Sequence, residues 1–322
     1  MPQSASVIDT LGEGYRAIHR RPAILLLALA FNLVLLFSAP VSFAPLFDRL
    51  DGFLTRLASD PTAADGVVQS QISTLLQELG QTDLRQPLAL LNVMPRFVIP
   101  RFAPGALASD GIAGPAIRVS SIPGALLAIM AINLVVLPIG VLFLTLVGAA
   151  VRGEPPWPRG MGRTLAHVAV ALLGAMTIFL AVGLILGVPL AFAAGLLLAL
   201  NEGLGALAFS LLFVVAVWVQ IYIGFTNEAI VMSRLGPLRA IQASFNIVRR
   251  NLWGTIGLLL LSLLIARGTE VIWDLLSGTT AGLTAAALGS AYIGAGLSAA
   301  RMAFYRERLR RMEERQPVRP RV

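Results

Sequence analysis

The sequence predicts an all-α protein, a polytopic transmembrane helical bundle of about six spans with interfacial elbow helices and a small exterior insertion. Three observations predict it. Apolar runs of spanning length recur along the chain, hydrophobic residues make up 57% of it against 13% charged, and its arginines gather in short clusters between those runs. A mean hydropathy of +0.79 is far from the usage of a soluble globular chain, and a bilayer is the solvent that tolerates such a surface. The formal charge of +8 would suit nucleic acid if it lay along one polar face. Scattered between apolar runs, it reads instead as a set of topology determinants, and no nucleic-acid partner is expected.

Residues 1–22 form a cytoplasmic amphipathic helix in this reading, with Val7, Leu11, Tyr15 and Ile18 on one face. The run Ala23 to Ala44 is about 22 residues, enough for a first span and longer than the core of a signal peptide. Ser42-Phe43-Ala44 resembles a cleavage site, but Pro45 after the scissile bond should block processing, so a retained helix is expected. Residues 45–120 hold seven acidic residues and six arginines and no spanning stretch, which makes them an exterior insertion. Leu46, Leu50, Phe53, Leu54 and Leu57, and then Val68, Ile72, Leu75, Leu76 and Leu79, predict two amphipathic helices there. The tandem Pro95-Arg96-Phe97 and Pro100-Arg101-Phe102 predict loops or short strands.

Residues 121–303 follow as a five-span domain with an interfacial helix at 237–250. Its spans are expected near Pro123 to Val147, Thr164 to Leu200, Leu204 to Phe225, Gly254 to Leu276 and Ala281 to Met302. The second of these runs about 36 residues, roughly 54 Å at helical rise, and must tilt, kink near Pro189 or protrude. Residues 304–322 form a basic tail, expected to lie as a helix along an anionic inner leaflet. Six spans put Arg16 to Arg21, the 152–163 loop, Arg234 to Arg250 and the tail on one side, the cytoplasm by the positive-inside rule. The expected location is a bacterial cytoplasmic membrane with both termini inside.

In 237–250 the apolar Leu238, Ile241, Phe245 and Val248 share a face opposite Arg239, Gln242, Asn246 and Arg249, the pattern of a helix lying in the interface. Tyr15 to Arg20 and Phe245 to Arg250 share an order of aromatic, two variable positions, aliphatic, basic and Arg, which suggests a repeated elbow-plus-span unit. The stretch FTNEAIVMSRLGPLRAIQASFNIVRRNLWGTIGLLLL resembles the six-span membrane domain of some bacterial glycerophosphodiester phosphodiesterases and of related stand-alone membrane proteins. The resemblance covers roughly residues 160–300 and the N-terminal elbow. In the fused members of that group catalysis resides in a separate soluble barrel, so the resemblance implies a non-enzymatic membrane domain here. The 45–120 insertion departs from its pattern.

Composition removes several chemistries. All 25 basic residues are arginine, which excludes Schiff-base and P-loop lysines, and the absence of cysteine excludes thiolate metal sites and thiol nucleophiles. The two histidines, His19 and His167, lack the spacing of a metal site, and no cofactor is expected. Arg267, Glu270 and Asp274 share a face of the fifth span as an intramembrane polar cluster, expected to pair toward its exterior half. Glu228 is expected to pair with Arg234 or Arg239 at the cytoplasmic end of the fourth span. Asn32, Asn133, His167 and Gln220 are polar residues within the bundle, suited to interhelical hydrogen bonds or to lining a path. Small residues at Gly183, Gly187, Ala191 and Gly195, and at Ala286, Ser290, Gly294 and Ser298, predict close helix packing. These features favour a non-enzymatic scaffold or homeostasis role over the alternative, a transporter or channel. The expected partners are the anionic inner leaflet and another membrane protein or a second copy of the chain.

Overall fold

A computed structural model describes residues 6–37, 39–58, 73–74, 76–82, 116–157, 160–276 and 279–314. Helices dominate them. In chain order they are α1 (Val7–His19), α2 (Ala23–Phe37), α3 (Ala44–Ala58), α4 (Ile122–Arg152), α5 (Met161–Val182), α6 (Val188–Leu200), α7 (Glu202–Ile223), α8 (Thr226–Ser233), α9 (Pro237–Arg250), α10 (Leu252–Leu276) and α11 (Thr280–Glu314). Four stretches are long and apolar enough to cross a membrane by length and composition: Ile122–Arg152, Met161–Leu198, Gly203–Ser233 and Leu252–Trp273. Only 6% of the apolar window in Gly203–Ser233 is buried. Such a helix needs an apolar solvent, so the protein is membrane-embedded.

The first apolar run differs from expectation. Its helix ends at Phe37, and Val41–Ser42 (β1) then pairs in parallel with Ile117–Arg118 (β2). Pro40 explains the stop, because it has no N–H and biases the residue before it away from helix. Val41, Phe43, Val119 and Ala125 form a small buried cluster with Leu46, Phe47 and Ala128 packed on it. The predicted helix at 46–57 is α3, with Arg49 donating to the Ser120 carbonyl at 2.8 Å. Of the second predicted amphipathic helix, residues 73–74 and 76–80 are described and helical. Both Pro-Arg-Phe units lie outside the described residues.

The long third segment continues as helix through Pro189. A π-helical turn, Gly183–Gly187, links α5 to α6, and Pro189 follows in the first turn of α6. A π turn widens the ladder of hydrogen bonds and leaves room for a residue that cannot donate. Asn201 then reverses the chain, its side chain accepting from the Leu204 N–H at 3.0 Å to cap α7. At Gly205 a Cβ would lie 2.6 Å from the Leu198 backbone nitrogen, so only glycine lets α6 and α7 come this close. Among the described residues the stripe at Gly183, Gly187 and Gly195 forms no packing seam, since Cβ atoms there would meet none of them within 4 Å. On α11 the buried small residues run through Ala291, Ala295, Ala299 and Ala303.

Two compact units emerge. One comprises Met1–Ile24, Val141–Ile265 and Ala295–Val322, the other Leu25–Gly140 and Ala266–Gly294. In the first unit α1 docks on α11 instead of lying free. Gly14 meets Ala300, where a Cβ would sit 2.6 Å from the Ala300 Cα, and Tyr15 lies against Gly296. The tail is likewise no separate helix, because α11 continues unbroken from Thr280 to Glu314.

Candidate functional site

Helix α8 is the hub of the first unit's polar contacts. Only eight residues long, it buries Thr226, Glu228, Ala229, Ile230 and Val231. It ends at Arg234 in the left-handed region (φ 51°), which turns the chain toward Gly236 and α9. That turn separates Glu228 from its sequence-near arginines. Glu228, with 8% of its side chain exposed, pairs instead with Arg301 of α11, Oε1 to Nε at 2.7 Å. Arg301 also donates to the Gly224 carbonyl and stacks over Phe225 at 5.6 Å. Arg239 is exposed on α9, and Arg234 offers its carbonyl to His167 Nε2 at 2.9 Å.

Other contacts tie α8 to its neighbours. Arg152 at the end of α4 donates to the Val231 carbonyl at 3.0 Å and pairs with Glu154 at 3.0 Å. Ser233 and Tyr305 share a hydrogen bond of 3.1 Å, and burial pushes the Tyr305 phenol above its ordinary pKa. Ser244 of α9 is fully buried and accepts from the Phe225 N–H at 3.0 Å while donating to the Tyr222 carbonyl at 2.7 Å. In this way two orphan backbone groups at the α7–α8 joint find partners. Arg306 extends the belt by pairing with Glu13 of α1 and donating to the Val151 carbonyl, and Arg21 donates to the Glu154 carbonyl. Of the tail arginines, Arg306 thus meets an acid and a carbonyl of other elements, while Arg310 and Arg311 pair along their own helix with Glu314 and Glu307.

The 237–250 helix also differs from the sequence reading. Its buried face is Ala240, Ser244, Ile247 and Val248, whereas Leu238 (64%) and Phe245 (44%) are exposed. Three sectors result: one packed on protein, one apolar and outward, and one carrying Gln242, Asn246 and the arginines. Binary patterning foresees the two outward sectors but not the protein face, whose small Ala240 and Ser244 carry little hydropathy signal.

In the second unit Arg267 donates to Glu270 at 3.0 Å, one helical turn along α10, with the arginine side chain 74% exposed. The Asp274 side chain lies outside the described residues. Asn32 is buried, and Asn133 donates to the Ile129 carbonyl one turn back at 2.8 Å. Gln220 is exposed on α7. Asn133 thus holds a partner on its own helix, and His167 meets the backbone carbonyl of Arg234, another predicted site residue. Sequence reasoning missed Glu13, Arg152, Ser244, Arg301, Tyr305 and Arg306, whose partners are distant in sequence. The only signal was an excess of arginine at helix ends.

Among the described residues no group of three or more His, Asp and Glu is placed to hold a metal ion. The belt's charges are spent on bonds between helices. Among the described residues six buried side-chain atoms have no hydrogen-bond partner: Arg21 Nη1, Glu228 Oε2, Thr255 Oγ1, Ser262 Oγ, Arg308 Nε and Arg301 Nε, the last being in ion-pair contact with Glu228. No known protein family matches this chain, and neither does any curated protein or solved structure.

Proposed function

We propose that this chain is a six-span protein of a bacterial cytoplasmic membrane, termini inside, whose bundle serves as a scaffold or accessory domain without chemistry of its own. One observation carries the reading. Two ion pairs, Glu228–Arg301 and Glu13–Arg306, join different helices, so these charges serve packing. Two further spans complete the six: α2, which at fifteen residues is short and would thin the bilayer or lean on its neighbours, and the alanine-rich first part of α11. The resemblance to the membrane domain of glycerophosphodiester phosphodiesterases points to the same accessory role.

Cysteine chemistry tests both parts in a chain that has none. Asp48→Cys should react with an impermeant maleimide in intact cells and Glu314→Cys should not; the reverse would overturn the topology. Ala229→Cys and Ala303→Cys occupy positions with 0% exposure and should resist a small water-soluble thiol reagent in native membranes. Reaction at both would favour the transporter reading, in which the unpartnered Glu228 Oε2 faces water.

A further inference from the structure

The stretch from 229 to 269 contains five arginines and no acidic residue. Within it Arg239, Arg249 and Arg250 are exposed on α9, and no ion-pair partner is found for them among the described residues. Trp253, two residues into α10, is 83% exposed and follows the outward Leu238 and Phe245. Cations beside exposed aromatic and aliphatic anchors are the composition of a surface that enters an anionic headgroup layer.

A second observation lies in another helix. Arg308 of α11 stacks over Phe304 at 4.8 Å and reaches the first turn of α10, with Nη2 3.6 Å from where a Cβ on Gly254 would stand. Its Nε is buried without a hydrogen-bond partner. The acid nearest in sequence, Glu307, is held by Arg311 at 2.7 Å. Burial and then Arg311 lower the Arg308 pKa, which Glu307 offsets only in part. A helix N-terminus repels a cation, so an anion placed between them would offset that repulsion. In the same turn the fully buried Thr255 hydroxyl also lacks a partner.

We infer that the α9–α10 elbow, completed by Arg308, binds the phosphate of an anionic phospholipid, with Trp253 and Phe245 set among the acyl chains. This rests on the elbow lying at a membrane surface but not on which leaflet that is.

The test uses full-length protein whose sole tryptophan is Trp253, reconstituted in nanodiscs of neutral lipid. Brominated phosphatidylglycerol should quench Trp253 at lower mole fraction than brominated phosphatidylcholine. Arg308→Gln should raise the half-quenching mole fraction of the anionic lipid roughly fivefold, the factor corresponding to loss of one arginine contact at a charged surface. Arg163→Gln, an equal charge change on an exposed residue elsewhere, should not. Equal quenching by the two lipids overturns the inference, as does an equal loss in both variants. Should Arg308→Gln fail to fold, Arg249→Gln with Arg250→Gln carries the same comparison. Inorganic phosphate abolishing the preference would make the ligand a soluble anion and overturn the lipid assignment. Nanodiscs present both faces, so a wrong topology leaves these outcomes unchanged and shows only in the maleimide experiment.

Discussion

Two of the arginine–glutamate pairs in this protein have surroundings that differ. Glu228 and Arg301 come from α8 and α11, and the carboxylate is 8% exposed. Arg267 and Glu270 stand one turn apart on α10, and the guanidinium is 74% exposed. The first pair links two helices and exists only once both are in place. The second forms as soon as its own helix does. Spacing along a helix therefore foretells the pair that matters least to the fold, while the pair that fastens helices together is written in no local pattern.

Removing one partner of the buried pair should have the largest effect. Arg301→Leu leaves a carboxylate in a low-dielectric setting with its Oε2 already unpartnered, and a loss of about 3 kcal/mol is expected. Arg301 is itself 31% exposed, which keeps the figure at the lower end of the range for buried pairs. Thermal unfolding in detergent measures it. Adding Glu228→Leu should restore part of the loss, because the orphaned charge goes with its partner. A double variant no more stable than the single one would mean that the orphaned Glu228 side chain is not the source of the loss.

Gly14→Val tests a link between helices that uses no charge. A Cβ at Gly14 would lie 2.6 Å from the Ala300 Cα, and backbone cannot yield as a side-chain tip does. A loss of about 1–3 kcal/mol is expected, with α1 the first element to lose amide-exchange protection. Gly12→Val, on the open side of α1, should cost less than a third of that. Equal costs would show that helix propensity and not docking sets the effect.

Four apolar stretches after residue 120 were legible because a continuous apolar run of more than about 18 residues has few readings in a chain this apolar. The end of α2 was less so, since Pro40 interrupts a run whose hydropathy continues to Ala44, and hydropathy does not register a missing donor. The amphipathic faces of α1 and α9 were visible, but Gly14, Ala240 and Ser244, which lie at their protein contacts, have little hydropathy of their own. Arg267–Glu270 could be read from i, i+3 spacing. Glu228–Arg301 required knowing that α8 lies against α11, and that Arg234 turns the chain away.

At the exposed local pair the expected change is small. Arg267→Leu should alter the unfolding midpoint by no more than about 1 kcal/mol equivalent, because a guanidinium this open gains little from one carboxylate. A shift matching that of Arg301→Leu would erase the distinction between the two pairs and place Arg267 in a buried role that its exposure does not suggest.

The smallest effect belongs to the most local contact. Ser6 and Asp9 form a capping box at the start of α1, the Asp9 carboxylate accepting from the Ser6 N–H at 2.8 Å and from its hydroxyl at 2.9 Å, while Ser6 Oγ accepts from the Asp9 N–H at 3.1 Å. The Ser6 N–H, then its hydroxyl, hold the Asp9 pKa below its ordinary 3.8. A carboxyl with a depressed folded-state pKa contributes fully above its unfolded value, and the contribution fades as pH falls through the folded one. The first turn of α1 should therefore lose amide-exchange protection only below the ordinary 3.8, when compared at each pH with Asp9→Asn. If the two proteins protect these amides equally at neutral pH, the cap adds nothing. In that case α1 would be held by its contacts with α11 alone, at Gly14, Tyr15 and Glu13, and even its first turn would owe its order to long-range packing.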